Sequence, residues 1–217
     1  MYLERHVTSF LLTVWLSAMG LSGQAAPTPG SCTCITAKDT NGWCEAHGVG
    51  YVASVRIRSK MLYETLDAHG HTLDLDTFHC ASCRKAIESN GFCEQHRIGF
   101  VGRQVYFSRL TYELARGESR DTARIECRVC RRNTESHGWC ERCKVGMVGK
   151  IAIEDRQAYE RVSRAIEILS AASEAAERCE YCAVAMVTDT RCPRCKIAYK
   201  DGKPLPSPNR PWGSEPR

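Results

Sequence analysis

The stretch Cys127-Arg-Val-Cys130, followed after nine residues by Cys140-Glu-Arg-Cys143, decides the fold. Two Cys-x-x-Cys pairs at this distance are a strong metal-site pattern, because each pair turns tightly enough to direct two sulfur atoms at one ion. Four thiolates complete a tetrahedron around zinc and leave no open position for chemistry. The stretch therefore predicts a closed structural zinc site.

The chain carries this pattern four times, and the four groups contain all fourteen cysteines. The predicted metal ligands are Cys32, Cys34, Cys44 and His47; Cys80, Cys83, Cys93 and His96; Cys127, Cys130, Cys140 and Cys143; and Cys179, Cys182, Cys192 and Cys195. In the first group the pair should begin at Ser31, so Cys32 stands one place late. We expect Cys32 to bind in a distorted site; the alternative is a weak site without it.

The histidines distinguish metal binding from disulfide bonding. Histidine replaces a thiolate as a zinc ligand but cannot form half of a disulfide, and three cysteines in the second group would leave one thiol unpaired. Disulfides and redox thiols are the disfavoured alternatives. No Cys-x-x-Cys pair is followed by histidine, so haem attachment is not supported. The expected cofactor is zinc, about four ions per chain; iron stays open for the four-thiolate sites but suits the histidine-containing sites less well.

The N-terminus predicts export. Residues 1–25 contain a short apolar run, Val7 to Met19, and end in the small residues Gly23-Gln-Ala25, as a cleavable signal peptide does. The alternatives are an uncleaved anchor and a wrongly assigned start. Residues 26–30 form a Pro/Gly linker. We expect a periplasmic or secreted protein with no transmembrane anchor after cleavage.

The net charge disfavours nucleic acid as a partner. The chain has a formal net charge of +5 with its thiols counted as neutral. Zinc with four thiolates carries −2, and zinc with three thiolates and an imidazole carries −1, so two sites of each kind bring the loaded protein to about −1. The positive face that nucleic-acid binding requires is therefore not indicated.

The similarity among the repeats extends beyond the ligands. In the first three groups, counted from the third cysteine, glycine stands six residues on, valine eight on and tyrosine nineteen on. These residues are Gly50, Val52 and Tyr63; Gly99, Val101 and Tyr112; and Gly146, Val148 and Tyr159. A period of about fifty residues is typical of a repeat architecture. Units of this size build small cores and usually need a metal ion or a disulfide to stabilise them, so we expect many small cores rather than one large core.

The same alignment predicts the elements of each repeat. Two-residue hairpin turns are expected at Ala53-Ser54, Gly102-Arg103, Gly149-Lys150 and Asp201-Gly202. Ser59, Ser108 and Asp155 are suited to begin helices, and Gly70 and Gly117 to end two of them. The third helix is predicted over residues 156–178, with an apolar face that packs against the hairpin; a partner-binding or dimerising face is the alternative.

The predicted fold class is a set of small metal-stabilised α+β repeats: four zinc-ribbon-like units, each with two knuckles and a β-hairpin, the first three followed by a helix. The expected boundaries are 31–79 for repeat 1, 80–126 for repeat 2, 127–178 for repeat 3 and 179–203 for repeat 4, which is expected to have no helix and resembles a capping repeat. Residues 204–217 form a proline-rich tail.

The knuckle pairs resemble the short zinc-ribbon repeats found singly or in tandem in many proteins, over about seventeen residues such as Cys80 to His96. This resemblance implies a metal-stabilised fold and a binding or scaffolding role. The stretch Gly102 to Phe107, which leads into a helix, is similar to the treble-clef domains of heavy-metal handling proteins. That family carries cysteines where this chain has Ser108.

Motifs for other chemistry are absent from the sequence: it contains no His-Glu-x-x-His, phosphate-binding glycine loop or nucleophile elbow. We therefore expect a non-enzymatic, exported scaffold that binds a protein whose identity the sequence does not indicate. The alternatives are a periplasmic protein that buffers or delivers metal and, less favoured, a nucleic-acid-binding zinc-ribbon protein. His69 and His71, beside Asp67 and Asp74, are a weaker candidate for an extra metal site, and His137 is expected to be a turn residue.

Overall fold

A computed structural model describes residues 32–206 of the chain, which belong to one compact unit that begins at Cys32. The predicted signal peptide, the linker and residues 207–217 of the proline-rich tail lie outside the described residues. Within the described residues no helix is both long enough and apolar enough to cross a membrane.

Helices and short strands alternate along this part of the chain. The helices are α1 Cys34–Asp39, α2 Lys60–Leu66, α3 Ala81–Glu88, α4 Arg109–Arg116, α5 Arg128–Ser136, α6 Arg156–Ala176 and α7 Glu180–Thr188. The strands are β1 Trp43–Cys44, β2 Val49–Val52, β3 Val55–Ile57, β4 His71–Thr72, β5 Phe92–Cys93, β6 Ile98–Val101, β7 Gln104–Tyr106, β8 Glu118–Ser119, β9 Gly138–Cys140, β10 Val145–Val148, β11 Ile151–Ile153, β12 Tyr199–Lys200 and β13 Lys203–Pro204. Short 3-10 turns lie at Glu45–His47, Leu75–Thr77 and Thr122–Arg124.

The strands form small antiparallel sheets, as the α+β prediction requires. The sheet of repeat 1 has the order β1-β2-β3, and that of repeat 4 is β12-β13. The other two orders are β4-β7-β6-β5 and β8-β11-β10-β9, in which β4 from the end of repeat 1 joins the sheet of repeat 2 and β8 from the end of repeat 2 joins the sheet of repeat 3. The pairings Val52↔Val55, Val101↔Gln104, Val148↔Ile151 and Lys200↔Lys203 close two-residue turns where the sequence predicted them. Glycine or another residue with positive φ occupies the first position of each turn, as this tight geometry requires.

A helix that the sequence did not predict occupies the spacer between the two ligand pairs of each repeat. The prediction that repeat 4 has no helix is therefore wrong, because α7 lies there. In repeat 2 the spacer helix is α3: Cys80 lies directly before it, and Cys83 and Ala86 form its buried face. The first ligand pair therefore lies at a helix start rather than on a second β-knuckle. The free N–H groups at a helix N-terminus favour thiolate sulfur there, which gives this arrangement a physical reason.

The helix boundaries follow local capping chemistry at several ends. The Ser59 hydroxyl accepts the Leu62 N–H at 3.2 Å, and the Asp155 carboxylate accepts the Ala158 N–H at 2.7 Å. Ser108 precedes α4 without a capping hydrogen bond from its side chain. The prediction that Gly70 ends a helix is wrong, because α2 ends at Leu66 and the next residue, an aspartate, already has a φ of 51°.

The repeated glycine–tyrosine pair has a steric cause. A Cβ atom added to Gly50, Gly99 or Gly146 would lie only 2.5, 2.2 or 2.1 Å from the ring of the tyrosine that follows in the same repeat. The tyrosine ring therefore packs directly on the backbone of the central hairpin strand, where only glycine leaves room. This contact attaches each of the helices α2, α4 and α6 to its own hairpin.

The core is organised at two levels, so the expectation of many small cores is only partly right. A small cluster surrounds the cysteines of each repeat, as Phe100 and Val105 do in repeat 2. A larger cluster is shared by all four repeats, and α6 contributes the fully buried Leu169 and Ala172 to it. The apolar face of α6 thus packs inside the molecule, as the favoured interpretation of that face predicted.

Polar contacts reinforce the packing between repeats. Glu113 on α4 is buried, and its carboxylate accepts hydrogen bonds from Arg161 on α6 at 2.9 and 3.1 Å. The Ser59 hydroxyl contacts Glu180 of repeat 4 at 2.6 Å, and the Thr111 hydroxyl donates to the Leu66 carbonyl at 3.1 Å. Because buried charges and hydroxyls need partners, these contacts fix how the repeats fit together.

Candidate metal centres

The structure assembles four cysteine-rich groups, one in each repeat. Within each group the candidate ligand atoms all lie within 4.8 Å of one another. The members are Cys32, Cys34, Cys44 and His47; Cys80, Cys83, Cys93 and His96; Cys127, Cys130, Cys140 and Cys143; and Cys179, Cys182, Cys192 and Cys195. The four groups predicted from the sequence are therefore each placed to hold a metal ion.

The second group shows how the local fold aims its ligands. The start of α3 presents Cys80 and Cys83, the end of β5 presents Cys93, and the turn that follows presents His96. The Nδ1 atom of His96 lies 3.3 Å from the Cys83 sulfur and 3.7 Å from the Cys93 sulfur. A tetrahedral zinc ion with Zn–S bonds of about 2.3 Å and Zn–N bonds of about 2.0–2.1 Å would separate its ligand atoms by about 3.5–3.8 Å.

The two four-cysteine groups have similar dimensions. The sulfur atoms of Cys127 and Cys140 are 3.9 Å apart, and the Cys179 sulfur lies 3.9 Å from that of Cys192 and 3.7 Å from that of Cys195. A disulfide requires about 2.05 Å, so these sulfurs are not bonded to each other. The spacing and the four soft donors fit one tetrahedrally coordinated ion in each group.

The first group includes the out-of-register cysteine. The Nδ1 atom of His47 lies 3.2 Å from the Cys34 sulfur and 3.6 Å from the Cys44 sulfur, and Cys32 falls within the same group. Cys32 and His47 are exposed, whereas Cys44 is fully buried. The one-residue shift therefore leaves Cys32 within reach of the group but on its solvent side.

The environments of the thiols favour an ion in each group. The backbone N–H of Cys130 lowers the pKa of the Cys127 thiol to about 6, whereas burial raises the pKa of the Cys83 and Cys182 thiols to about 12. Thiols packed this closely cannot all ionise without a cation, since each charge opposes the next. A divalent ion would resolve this conflict by displacing the remaining protons, so its affinity should fall as the pH falls. The Thr33 hydroxyl likewise lowers the pKa of Cys44 to about 5.

A repeated contact that the sequence analysis missed connects each of the first three groups to the following helix. A glutamate follows the third cysteine, and a cationic residue begins the helix fifteen positions later: the pairs are Glu45 with Lys60, Glu94 with Arg109, and Glu141 with Arg156. Each cation also lies over an aromatic ring, of Trp43, Phe92 and Trp139 respectively, at 4.2 to 5.3 Å. The repeat alignment contained this signal, because all three residue types recur at fixed offsets.

The additional candidates do not form a metal group. Asp67 binds His71 at 2.9 Å and accepts the Phe107 N–H at 3.3 Å, so it joins β4 to the end of the hairpin in repeat 2. Neither His69 nor Asp74 belongs to a metal-binding group among residues 32–206. His137 lies at a turn, as expected: its Nδ1 atom accepts the Gly149 N–H at 3.1 Å.

No protein-family model matches the chain, and no curated protein or solved structure matches it. The class of protein is therefore defined by its own geometry. That geometry describes a small α+β protein with four Cys/His groups, each placed to hold a metal ion, around one shared core.

Proposed function

We propose that this chain is an exported, non-enzymatic protein-interaction scaffold whose four metal groups hold structural zinc. The observation that carries the proposal is the link between each group and the rest of the fold. In repeats 1–3 the residue after the third ligand cysteine is ion-paired to the first residue of the next helix. That helix then supplies the shared core, so an ion that fixes the knuckle also fixes the core.

Zinc is the ion that best suits the donors. Two groups offer four thiolates and two offer three thiolates and an imidazole, and zinc accepts both sets in the same tetrahedral geometry. Iron also binds four thiolates, but it suits the two histidine-containing groups less well. We assign these ions a folding role, because a four-ligand site has no open position at which a substrate could bind.

The scaffold role is supported by the distribution of apolar residues. The buried leucines of α2, α4 and α6 are directed into one shared core, which would hold the outer surfaces of the repeats in a fixed arrangement. A rigid array of surfaces is suited to binding a protein partner. Export is supported by the composition of residues 1–25 alone.

A comparison of chelation with metal transfer tests the structural role. Elemental analysis of the full-length, natively purified protein should give about four zinc ions per chain. During chelation, the helical circular dichroism signal should fall together with the zinc content, because structural zinc binding is coupled to folding by on the order of 10 kcal/mol. Cys140→Ser should unfold repeat 3, whereas Ser136→Ala, an exposed change in the same repeat, should leave the spectrum intact.

Metal handling is the second candidate, and the first metal group favours it. Its ligands Cys32 and His47 are exposed, so a competing ligand could reach the ion there. A protein that delivers metal should transfer zinc to an acceptor faster than it unfolds, with its helix signal intact. That result would contradict the scaffold proposal and support delivery.

A further inference from the structure

Repeats 1 and 3 meet at their hairpin turns. A Cβ atom added to Gly149 in the turn of repeat 3 would lie 3.6 Å from the Ser54 hydroxyl in the turn of repeat 1. The Lys150 ammonium binds the Asp39 carboxylate at the end of α1, 2.7 Å away. A cleft of about 780 Å³ borders this contact, and it is lined by both turns and by residues of repeat 2 such as Thr122. The contact between the two turns is thus polar, and it lies at the edge of the apolar core that repeats 1 and 3 share.

His137 lies at the base of this contact. Its Nδ1 atom accepts the Gly149 N–H at 3.1 Å and so holds the repeat 3 turn in place. The same position is occupied by Asn41, Asn90 and Asp189 in the other repeats, and each of their side-chain oxygens accepts the corresponding turn N–H at 2.7 or 2.8 Å. Repeat 3 is therefore the repeat whose turn is held by an imidazole nitrogen that must be unprotonated to accept.

The backbone of His137 is also unusual among these equivalents. It has φ 55° and ψ 148°, whereas Asp189, the equivalent residue of repeat 4, has φ 54° and ψ 45°. A left-handed φ with an extended ψ is a conformation that residues other than glycine rarely adopt, and it persists only where surrounding contacts impose it. The hydrogen bond to Gly149 is one such contact, so its loss would release the strained residue.

The charges around His137 oppose its protonation. Burial lowers the pKa of His137; the backbone of Ala53 acts in the opposite direction, and the Lys38 ammonium on α1 lowers the pKa further. Of the other charged groups on the neighbouring elements, Lys150 on the repeat 3 turn and Asp39 on α1 are paired with each other, and Glu135 lies near the end of α5. A proton on Nδ1 would thus meet the Lys38 ammonium and displace the Gly149 hydrogen bond, whereas the hydrogen bond to the Ala53 backbone would remain.

We propose that His137 is a proton-sensitive latch between repeats 1 and 3. With the ring neutral, its Nδ1 atom holds the Gly149 turn against the Ala53-Ser54 turn. When Nδ1 takes up a proton it can no longer accept the Gly149 N–H, and the turn of repeat 3 moves away from the turn of repeat 1 while the shared core stays packed. Acidification would then open the contact between the turns while every metal ion stays bound.

The direction of the pH effect follows because proton binding to His137 is coupled to opening of the contact. The closed contact is favoured while His137 is neutral, and its stability falls as the pH drops through the ordinary histidine pKa of about 6.5 that the ring regains when the contact opens. One unit below that value, the ratio of open to closed forms can rise by at most about tenfold. Above about pH 7.5 the ratio should be constant.

The test uses the full-length, zinc-loaded protein and its His137→Asn variant. Asparagine supplies an acceptor at this turn position in repeats 1 and 2, so the variant should keep the Gly149 hydrogen bond but lose its titration. Hydrogen exchange at the Gly149 amide, corrected for the intrinsic pH dependence, should show up to about tenfold faster opening at pH 5.5 than at pH 7.5 in the wild type alone. His69→Asn, at an exposed histidine, should behave as the wild type.

Two further measurements decide the proposal. The ring ¹⁵N signals of His137 should show an unprotonated Nδ1 at pH 7.5, and Nδ1 should become protonated over the same range in which Gly149 loses protection. Zinc content is measured in parallel, because acid also protonates the thiolates. Equal loss of protection in the wild type and His137→Asn, or opening that follows zinc release in both, would overturn the latch.

Discussion

Repeats 1 and 4 contribute different elements to the shared core. In repeat 1 the hairpin and the following helix α2 are buried, with Val52 and Leu62 fully inaccessible, while the metal group lies near the surface with Cys32 exposed. In repeat 4 the spacer helix α7 packs on α6, and Cys179, Cys182 and Cys192 are all buried. The repeat pattern thus allows either the hairpin or the metal-bearing helix to be the part that docks.

The sequences of the two hairpins reflect this difference. Val52 and Val55 of repeat 1 face the shared core, and the equivalent residues of repeat 4 are Lys200 and Lys203. A lysine pair cannot be buried there without partners, so the repeat 4 hairpin stays in solvent. The hairpin of repeat 4 therefore presents a polar face, whereas that of repeat 1 presents an apolar one.

The largest effect that the comparison predicts is on the fourth metal group. Cys192→Ser removes a fully buried ligand from a group whose helix α7 belongs to the shared core. We expect the loss of about one zinc ion per chain and of cooperative thermal unfolding, since structural zinc contributes on the order of 10 kcal/mol. Elemental analysis and calorimetry measure both.

The matched change in the first group is Cys32→Ser. Because Cys32 is exposed and out of register, this variant should unfold cooperatively, and a mild chelator should remove its first-group metal before that of the other groups. If Cys32→Ser lost cooperative thermal unfolding to the same extent as Cys192→Ser, the burial of a ligand would not determine how much its metal group contributes to stability. An unchanged zinc content and chelation profile would mean that Cys32 is not a ligand.

An intermediate effect on stability is expected from a substitution in α6, which packs against both repeat 1 and repeat 4. Leu169 on α6 is fully buried in the shared core. Leu169→Ala should lower the free energy of unfolding by about 2–5 kcal/mol, through lost transfer energy and the cavity that remains. Denaturant unfolding at constant zinc measures this change, and Ile35→Ala, at a side chain that is 84% exposed, is the control. Equal effects would argue against a core shared by the repeats.

The sequence predicted what local spacing determines. The ligand groups, the hairpin turns and the starts of α2 and α6 all follow from residues close together in the chain, such as Ser59 and Asp155 at the caps. The spacer helices were missed because nine residues between ligand pairs carry little periodic signal. In repeat 4 a signal was present: Ala183 to Val187 is continuously apolar, unlike the spacers of the other repeats.

The shared core could not be predicted in the same way. It depends on contacts between residues far apart in the chain, such as the 2.6 Å hydrogen bond between Ser59 and Glu180. A single repeat gives no indication of which of its faces meets another repeat. His137 shows the same limit: its place at a turn was predictable, but its position beside the turn of repeat 1 was not.

The smallest effect is expected from exchanging one lysine of the repeat 4 hairpin for its repeat 1 equivalent. Lys203 is exposed and makes no ion pair among residues 32–206, so Lys203→Val should change the melting temperature by no more than about 2 °C. The reciprocal Val55→Lys places an ammonium beside the shared core and should cost about 1–3 kcal/mol, because it has no buried partner. Parallel thermal melts of the zinc-loaded variants measure both changes. If both substitutions leave the melting temperature equally unchanged, the hairpin of repeat 1 does not attach that repeat to the shared core. The proposed difference between repeats 1 and 4 would then be wrong.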